Sequence, residues 1–582
     1  MTPGLVVLQD AQGTRWLRFS DPVAVFSATS LEEVGPSLNA IDHAVTHHGL
    51  HAAGYIAYEA APAFDRALTV HASVIPLLWF GLYKPPEVLW EIPGSSSSSY
   101  DLGDWQPAVT EDAYGQAISA IKQAIAAGLT YQVNYTFPMH ASFGGDPWGL
   151  FVKLSRAQKA RYAAFLDTGD LAICSASPEL FFQLDGTTLL SKPMKGTASR
   201  GRWPAEDQGR RQWLRHSSKN QAENVMIVDM IRNDMGRVAD IGTVHVPRLF
   251  EVEGYPTVWQ MTSTVISRTR VPVPDILNAL FPCASITGAP KVRTMKIIAG
   301  LEPHPRGVYT GAIGYIAPGR RAQFNVAIRT VLIDRRLGLA TYGVGGGIVW
   351  DSSTDDEYQE AQLKARVLTE TSPSFDLLET ILWTPADGYF LLDQHLDRLA
   401  QSAAYFAIDV DLRDIERRLA KKAVGLGKGT RRVRLLVSQD GEVGIEAWPL
   451  DPTPEKEPLR IGLARWSVDS NDRFLYHKTT HRSVYEQARA SRPNCDEVLL
   501  WNERREITEA SMANVVLDLD GELVTPPVSS GLLAGVYRGR LLEQGKIRTR
   551  VLCLDDLKRC EKLFLVNSVR QWREGVLSRS DH

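Results

Sequence analysis

The sequence predicts two successive α+β domains, the second of them divided into two lobes. Three observations carry that expectation. A chain of 582 residues exceeds what one core organises, since domains average about 150 residues. Segments of alternating polarity and segments of helical periodicity mix in both halves, without the strand–helix rhythm of a doubly wound sheet. Breaks rich in Ser, Thr, Pro or Gly fall at 94–99, 369–374 and 451–458.

In chain order, the run Gly94-Ser95-Ser96-Ser97-Ser98-Ser99 holds no apolar anchor and reads as a flexible surface loop. Asn220 to Arg232 (NQAENVMIVDMIR) reads as an amphipathic helix. Ala322 to Leu332 (AQFNVAIRTVL) alternates polar and apolar residues and reads as a strand. Glu357 to Leu368 (EYQEAQLKARVL) reads as a second amphipathic helix. The break at Thr369–Ser374 ends that pattern and sets the main boundary, giving domains of 1–370 and 375–582. Arg431 to Ser438 (RRVRLLVS) reads as a strand, and the prolines of Asp451–Pro458 separate the two lobes of the second domain. No repeat with a period of 20 to 50 residues is visible.

Composition excludes several classes of partner. Lys and Arg number 64 against 67 Asp and Glu, a net charge of −3, so no long-range field favours nucleic acid or anionic lipid. A hydrophobic fraction of 44% and a mean hydropathy of −0.16 describe a globular protein. Asp10 stops the N-terminal apolar run short of a secretory core, and no stretch approaches the roughly 20 apolar residues that cross a bilayer. Cys174, Cys283, Cys495, Cys553 and Cys560 show no metal-ligand spacing and read as reduced, small buried residues, so a cytoplasmic setting is expected.

The candidate chemistry of the first half begins at Lys195, in "SKPMKGTASRGR". Taken alone, this lysine reads as a solvated loop charge. Glu357, Glu360 and Lys364 are spaced to share one helix face, which alone describes a surface ion pair. Glu223 lies on the other helix. If the two helices face each other, these carboxylates suit a hard cation such as Mg²⁺, whose shell substrate oxygens and water complete. The glycine run Tyr342-Gly343-Val344-Gly345-Gly346-Gly347-Ile348 matches neither a P-loop nor a dinucleotide fingerprint and reads equally as a plain glycine turn or as backbone amides open to an anion. The block Ser285-Ile286-Thr287-Gly288-Ala289-Pro290-Lys291 has a Thr-Gly turn before a proline helix start, with amides free to meet an anion.

In combination, PMKGT (193–197), AENVMIVDMIRND (222–234), SITGAPKVRTMKII (285–298), RGVYTGAIGYI (306–316), FNVAIRT (324–330) and YGVGGGIVWDS followed by EYQEAQLKAR resemble the chorismate-utilising enzymes. That group contains anthranilate synthase, isochorismate synthase and aminodeoxychorismate synthase component I. The resemblance implies a β-sandwich with helices, residues 1–105 forming its N-terminal β-rich region. It implies amination of chorismate, for where anthranilate synthases carry alanine and ammonia attacks C2 directly, this chain has Lys195. In aminodeoxychorismate synthases such a lysine attacks C2 and expels the C4 hydroxyl, and ammonia at C4 then displaces it. Mg²⁺ ligation falls by resemblance on Glu223 and Glu360, with Glu357 nearby, and chorismate contacts on Thr197, Thr287, Tyr309, Arg329, Gly346 and Lys364. Gln260 stands where the group often has histidine, and Asp351-Ser352-Ser353-Thr354 replaces its DSDP. The Leu-Leu-Glu-Ser motif of tryptophan-inhibited relatives is missing, so tryptophan inhibition is not expected.

From Phe375 onward the chain resembles the fold-type IV pyridoxal-phosphate enzymes, which include branched-chain and D-amino-acid transaminases and aminodeoxychorismate lyase. Arg398 in LDQHLDRL matches the phosphate-binding arginine, Lys478 in FLYHKTT the lysine that holds the cofactor covalently, and Glu509 in EITEASMANVV the partner of the pyridine nitrogen. The backbone at Val536 and Tyr537 and the hydroxyl of Ser568 match phosphate contacts; Tyr537 stands where some relatives have threonine, so only its amide carries over. Fusion of the two resemblances implies 4-aminobenzoate synthesis for folate, by Mg²⁺-dependent amination of chorismate and then pyridoxal-phosphate-dependent release of pyruvate. The alternative is an anthranilate synthase component I fused to a class IV aminotransferase. No cysteine sits in a Gly-x-Cys-x-Gly elbow, so ammonia is expected from solution or from a separate glutamine amidotransferase subunit. A homodimer through the second domain is also expected.

Overall fold

The computed structural model describes residues 3–10, 15–92, 99–366, 368, 373–450 and 458–578. The serine run apart from Ser99, residues 369–372 of the main break and residues 451–457 of the Pro-rich break lie outside the described residues.

One compact unit comprises Met1–Ala198 and Gln212–Thr371. It holds an eleven-stranded and a ten-stranded sheet, antiparallel wherever their pairing is registered. Period-2 alternation assigns each face. Val6 and Leu8 of the strand Leu5–Gln9 join Tyr55, Trp79, Tyr83, Ile173 and Ile313 in a core shared by the two sheets, while Val7 between them faces another core. On the outer face of the eleven-stranded sheet the helices Glu111–Ala126, Pro147–Gln158 and Thr354–Arg366 bury their apolar sides. The helices Leu31–His48, Ser218–Gly236 and Val273–Leu280 do the same on the ten-stranded sheet. This β-sandwich flanked by helices is the predicted class.

Local chemistry sets the element ends. Ser217 caps the helix Ser218–Gly236 by accepting from the Asn220 N–H, so the helix begins before the apolar pattern does. Ser353 accepts from the Asp356 N–H at 3.2 Å, and Asp355, Asp356 and Glu357 fill the positive first turn of Thr354–Arg366. The single strand expected over Ala322–Leu332 requires correction. Arg321–Val326 belongs to the ten-stranded sheet and Thr330–Asp334 to the eleven-stranded one, and the chain crosses between them at Ala327–Arg329. Arg329 takes a left-handed φ of 53° at the crossing. A chain that steps between two facing sheets keeps its alternation, so the pattern conceals the step.

The other unit comprises Ser372–His582 together with Ser199–Arg211, a segment that a single boundary near residue 370 does not assign to it. Its four-stranded sheet is built from Leu377–Thr384, Gly388–Tyr389, Arg431–Val437 and Val443–Pro449, covered by the helices Leu392–Phe406 and Leu412–Val424. Its eight-stranded sheet is mixed, with Leu459–Leu463 parallel to both Glu497–Trp501 and Gln571–Leu577. All five cysteines are free thiols, although Cys553 is exposed where the sequence predicts a buried residue. Among the described residues no helix is long and apolar enough to cross a membrane.

Candidate active sites

The first site forms where the two sheets of the sandwich present polar residues. Met194–Ser199, of the ten-stranded sheet, carries Lys195; Leu339–Ile348, of the eleven-stranded sheet, carries Gly345, Gly346 and Gly347. A Cβ on Gly347 would overlap the Gln132 amide nitrogen and lie 2.7 Å from Lys195 Nζ. The amine therefore occupies space that only glycine leaves open. Nearby Lys192 has a different role, its amine pairing with Glu253.

The helices deliver the charges. Lys364 Nζ donates to the Gly345 carbonyl at 2.8 Å and pairs with Glu360 Oε1 at 2.8 Å. Glu357 accepts from the Ser352 hydroxyl at 2.7 Å, and its Oε2 would lie 3.2 Å from a Cβ on Gly346. Lys195 feels the charges of Glu223, Glu179, Lys364 and Glu360 together. Burial lowers its pKa, Lys364 lowers it further, and the carboxylates oppose the shift. Burial raises the pKa values of Glu223 and Glu357, and the Glu360 charge adds to both shifts. Among the described residues no cage of three or more His, Cys, Asp or Glu is assembled. The Glu360 carboxyl itself is held low, chiefly by the Lys364 charge. Carboxylates close enough for one to raise the pKa of two others nevertheless suit a cation that takes one or two protein ligands and fills its shell from substrate and water.

The remaining residues fall around the same strands. Arg329, at the crossing between sheets, points Nη1 toward Gln158 Oε1 at 3.4 Å and the Lys364 carbonyl at 3.5 Å. Tyr309 lies against Gly343, where a Cβ would strike its ring, and burial holds its phenol well above the ordinary range. Thr287 is fully buried; its hydroxyl donates to the Cys283 carbonyl at 3.3 Å, and its own carbonyl accepts from the Asn134 N–H. Thr197 is exposed and donates to Gln260 Oε1 at 3.0 Å, while Gln260 Nε2 donates to the Gly196 carbonyl at 3.0 Å. Gln260 thus fixes the strand beside Lys195 with a neutral amide.

Sequence reading misses Glu179. It is 3% exposed, accepts from Ser285 Oγ at 2.7 Å, and is pushed up to about 7 by burial against the pull of Ser285 and Lys195. Its partners lie far along the chain, so nothing near it in sequence distinguishes it. Gly347→Ala tests the geometry. The atoms displaced are the ends of two flexible side chains, so the fold should survive while kcat/KM of any reaction that uses the Lys195 amine falls by about 10- to 100-fold. Steady-state kinetics beside a thermal melt check both halves of that expectation.

The second site is a cavity of about 600 Å³ whose lining includes Arg398, Lys478, Glu509, Val536, Tyr537 and Ser568. Burial lowers the Lys478 amine to about 8, with the Arg398 charge adding to the shift. Burial raises Glu509 to about 7, against hydrogen bonds from the Leu533 N–H at 3.1 Å and the Tyr485 hydroxyl at 2.8 Å. Arg398 is gripped by Glu379 through Nε at 2.8 Å and Nη2 at 2.6 Å. Burial opposes ionisation of Glu379, but Arg398 and the His395 hydrogen bond hold it at about 2. Glu379 also escapes the sequence reading, because a glutamate inside LLETILW reads as the outward member of an alternating strand. Val536 and Tyr537 open the helix Val536–Glu543, whose first N–H groups lack helical partners and can meet a phosphate. A cavity with a buried amine, a buried acid for a ring nitrogen and such a helix start fits pyridoxal phosphate.

Comparison with known proteins follows the same division. The chain is 43% identical to aminodeoxychorismate synthase component 1 of Salmonella typhimurium over 258 residues, 44% of this chain and 56% of that protein. It is 39% identical to the protein of the same name from Bacillus subtilis over 286 residues, 48% of this chain and 60% of that protein. It thus spans little more than half the length of these relatives. In fold it is similar to anthranilate synthase component I of Streptococcus pneumoniae, with a TM-score of 0.54 and 23% identity, covering 64% of this chain and 93% of that one. Residues 376–575 match the amino-transferase class IV family. Residues 5–370 match the chorismate binding enzyme family, and the chain belongs to it.

Proposed function

We propose that the chain makes 4-aminobenzoate from chorismate in two steps, one in each unit. The observation that carries this reading is the Lys195 amine, set against Gly347 among Glu179, Glu223, Glu360 and Lys364 with its pKa lowered. The relatives named aminodeoxychorismate synthase component 1 support the first step, and the class IV match beside it supports the second.

In the first step the neutral Lys195 amine attacks C2 of chorismate, the ring double bonds shift, and the C4 hydroxyl departs. Glu179, a buried acid with a raised pKa, is suited to supply the proton that turns this hydroxyl into water. Ammonia then bonds to C4 and the lysine amine leaves C2, so chorismate and ammonia yield 4-amino-4-deoxychorismate and water. Arg329 and Lys364 offer cations to the substrate carboxylates, and Thr197, Thr287, Tyr309 and the Gly346 backbone complete the wall. Glu223 and Glu360, with Glu357 beside them, would hold Mg²⁺, which would supply positive charge for a substrate carboxylate.

In the second step Lys478 would hold pyridoxal phosphate, Arg398, Ser568 and the amides of Val536 and Tyr537 its phosphate, and Glu509 its ring nitrogen. The bound cofactor supplies an electron-accepting ring that stabilises negative charge at the carbon bearing the substrate amine. Lys478 is then the base for the C4 proton. Aromatisation releases the enolpyruvyl group as pyruvate and leaves 4-aminobenzoate. The name "component 1" of the relatives supports a separate glutamine amidotransferase as the source of ammonia. A cytoplasmic homodimer joined through the second domain belongs to the same reading.

The test supplies chorismate, Mg²⁺ and ammonium to cofactor-free protein and adds pyridoxal phosphate later. Chromatography should show 4-amino-4-deoxychorismate first and 4-aminobenzoate only after the cofactor. Release of 2-aminobenzoate would instead establish the anthranilate synthase alternative.

A further inference from the structure

The segment Ser199–Arg211 lies within the span matched by the chorismate binding family, yet it is part of the compact unit that holds Lys478. Within that unit its contacts converge on the residue before Lys478. Arg200 and Asp207 form a two-point ion pair, at 2.8 Å from Nε and 2.7 Å from Nη2, with both side chains under a tenth exposed. Asp207 also accepts from the Gly201 N–H at 2.8 Å, and a Cβ at position 201 would collide with the Asp207 backbone. The Arg200 guanidinium lies 4.4 Å over the Tyr405 ring, and that ring lies 4.2 Å from the His477 ring. Trp203 lies 5.2 Å from the Tyr476 ring, while Arg202 and the Tyr476 hydroxyl both donate to the Ser470 carbonyl.

His477 is 2% exposed, is bonded to Ser402 Oγ at 3.0 Å and faces this segment, whereas Lys478 lines the cavity. The Lys478 carbonyl is fixed separately by the Leu378 N–H at 2.9 Å. The backbone that presents the amine is thus gripped by the four-stranded sheet at Lys478 and by the 199–211 segment at Tyr476 and His477. A buried ion pair adds little net stability over apolar packing, but loss of one partner strands the other charge, so the pair acts as a specific latch.

We propose that Arg200 and Asp207 are positioning residues for the second site: through Tyr405 and His477 they set where the Lys478 amine stands in its cavity. This rests on the reading of Lys478 as the lysine that binds pyridoxal phosphate. The class IV match, residues 376–575, therefore omits a segment that supports the backbone of its own site from behind.

The test uses the full chain loaded with pyridoxal phosphate and compares wild type with Arg200→Ala, Arg200→Lys and Asp207→Asn. Ammonium-dependent chorismate consumption reports that the other unit is intact. Arg200→Ala and the isosteric Asp207→Asn should leave that consumption within about twofold of wild type while 4-aminobenzoate release from supplied 4-amino-4-deoxychorismate falls about tenfold or more. Both should shift the visible absorbance and circular dichroism of the bound cofactor, which report its orientation, and Arg200→Lys should restore part of the signal. Wild-type spectra and release rates in both Arg200→Ala and Asp207→Asn would overturn the proposal, as would parallel loss of both activities in Asp207→Asn. Covalent capture of pyridoxal phosphate by Lys478→Ala after borohydride reduction would overturn the underlying reading instead.

Discussion

Lys195→Ala should abolish ammonium-dependent consumption of chorismate, by at least about 10³-fold, and leave 4-aminobenzoate release from supplied 4-amino-4-deoxychorismate intact. Geometry requires this before electrostatics does. The amine fills the space above Gly347, and an alanine at 195 leaves nothing there to bond C2. Electrostatics then predicts a pH profile. The attacking amine must be neutral, and the neutral fraction grows as pH rises through the folded-state pKa, so kcat/KM should climb with pH to a plateau. Because burial and Lys364 lower that pKa, the midpoint should lie below the ordinary lysine value of about 10.4. Lys364→Gln removes one of the lowering charges and should move the midpoint upward, whatever it does to the plateau. The linkage has a consistent sign for stability. The folded amine binds its proton more weakly than the unfolded one, so Lys195 makes stability rise with pH between the two values. A Lys195→Ala chain that still aminates chorismate at wild-type rate would refute the covalent route.

Much of this site is legible in the sequence because its parts are local signals in a fixed order. Lys195 sits in a short block, and Glu357, Glu360 and Lys364 share one helix face by spacing alone. The opposition of Lys195 and the glycine run is not legible, because they come from different sheets. Arg329 shows the same limit. Its alternating segment reads as one strand, and only the tertiary structure reveals that the chain changes sheets there with a left-handed φ. Glu179 and Glu379 are hidden for a shared reason. A lone acid, in the turn between two strands at Glu179 or in an apolar strand at Glu379, reads as an outward-facing side chain, and its burial makes sense only beside Ser285 and Lys195, or beside Arg398 and His395. The segment SRGRWPAEDQGRR is the strongest case. Its composition describes a solvated surface, yet Arg200 and Asp207 are buried because each neutralises the other.

Lys478→Ala should produce the complementary block: chorismate is consumed at the wild-type rate, 4-amino-4-deoxychorismate accumulates, and release of 4-aminobenzoate falls by at least about 10³-fold. Two roles converge on this amine, holding the cofactor and moving the C4 proton, and no neighbour can assume both. Arg398 is held by Glu379 through two nitrogens, and Arg482, also at the cavity, is a guanidinium, which donates hydrogen bonds and accepts none. The environment suits a base near neutrality, since burial and the Arg398 charge bring the amine to about 8. Glu509→Gln separates ring-nitrogen pairing from the lysine's roles. Burial lifts Glu509 to about 7, so in the cofactor-free cavity much of it is protonated near neutral pH; a cationic ring nitrogen beside it would favour the carboxylate. The glutamine variant should therefore retain the cofactor but release 4-aminobenzoate slowly, whereas Lys478→Ala should neither bind it covalently nor turn over. Chromatographic measurement of both products from one reaction distinguishes these outcomes, and 4-aminobenzoate released at wild-type rate by the Lys478→Ala chain would remove Lys478 from the chemistry.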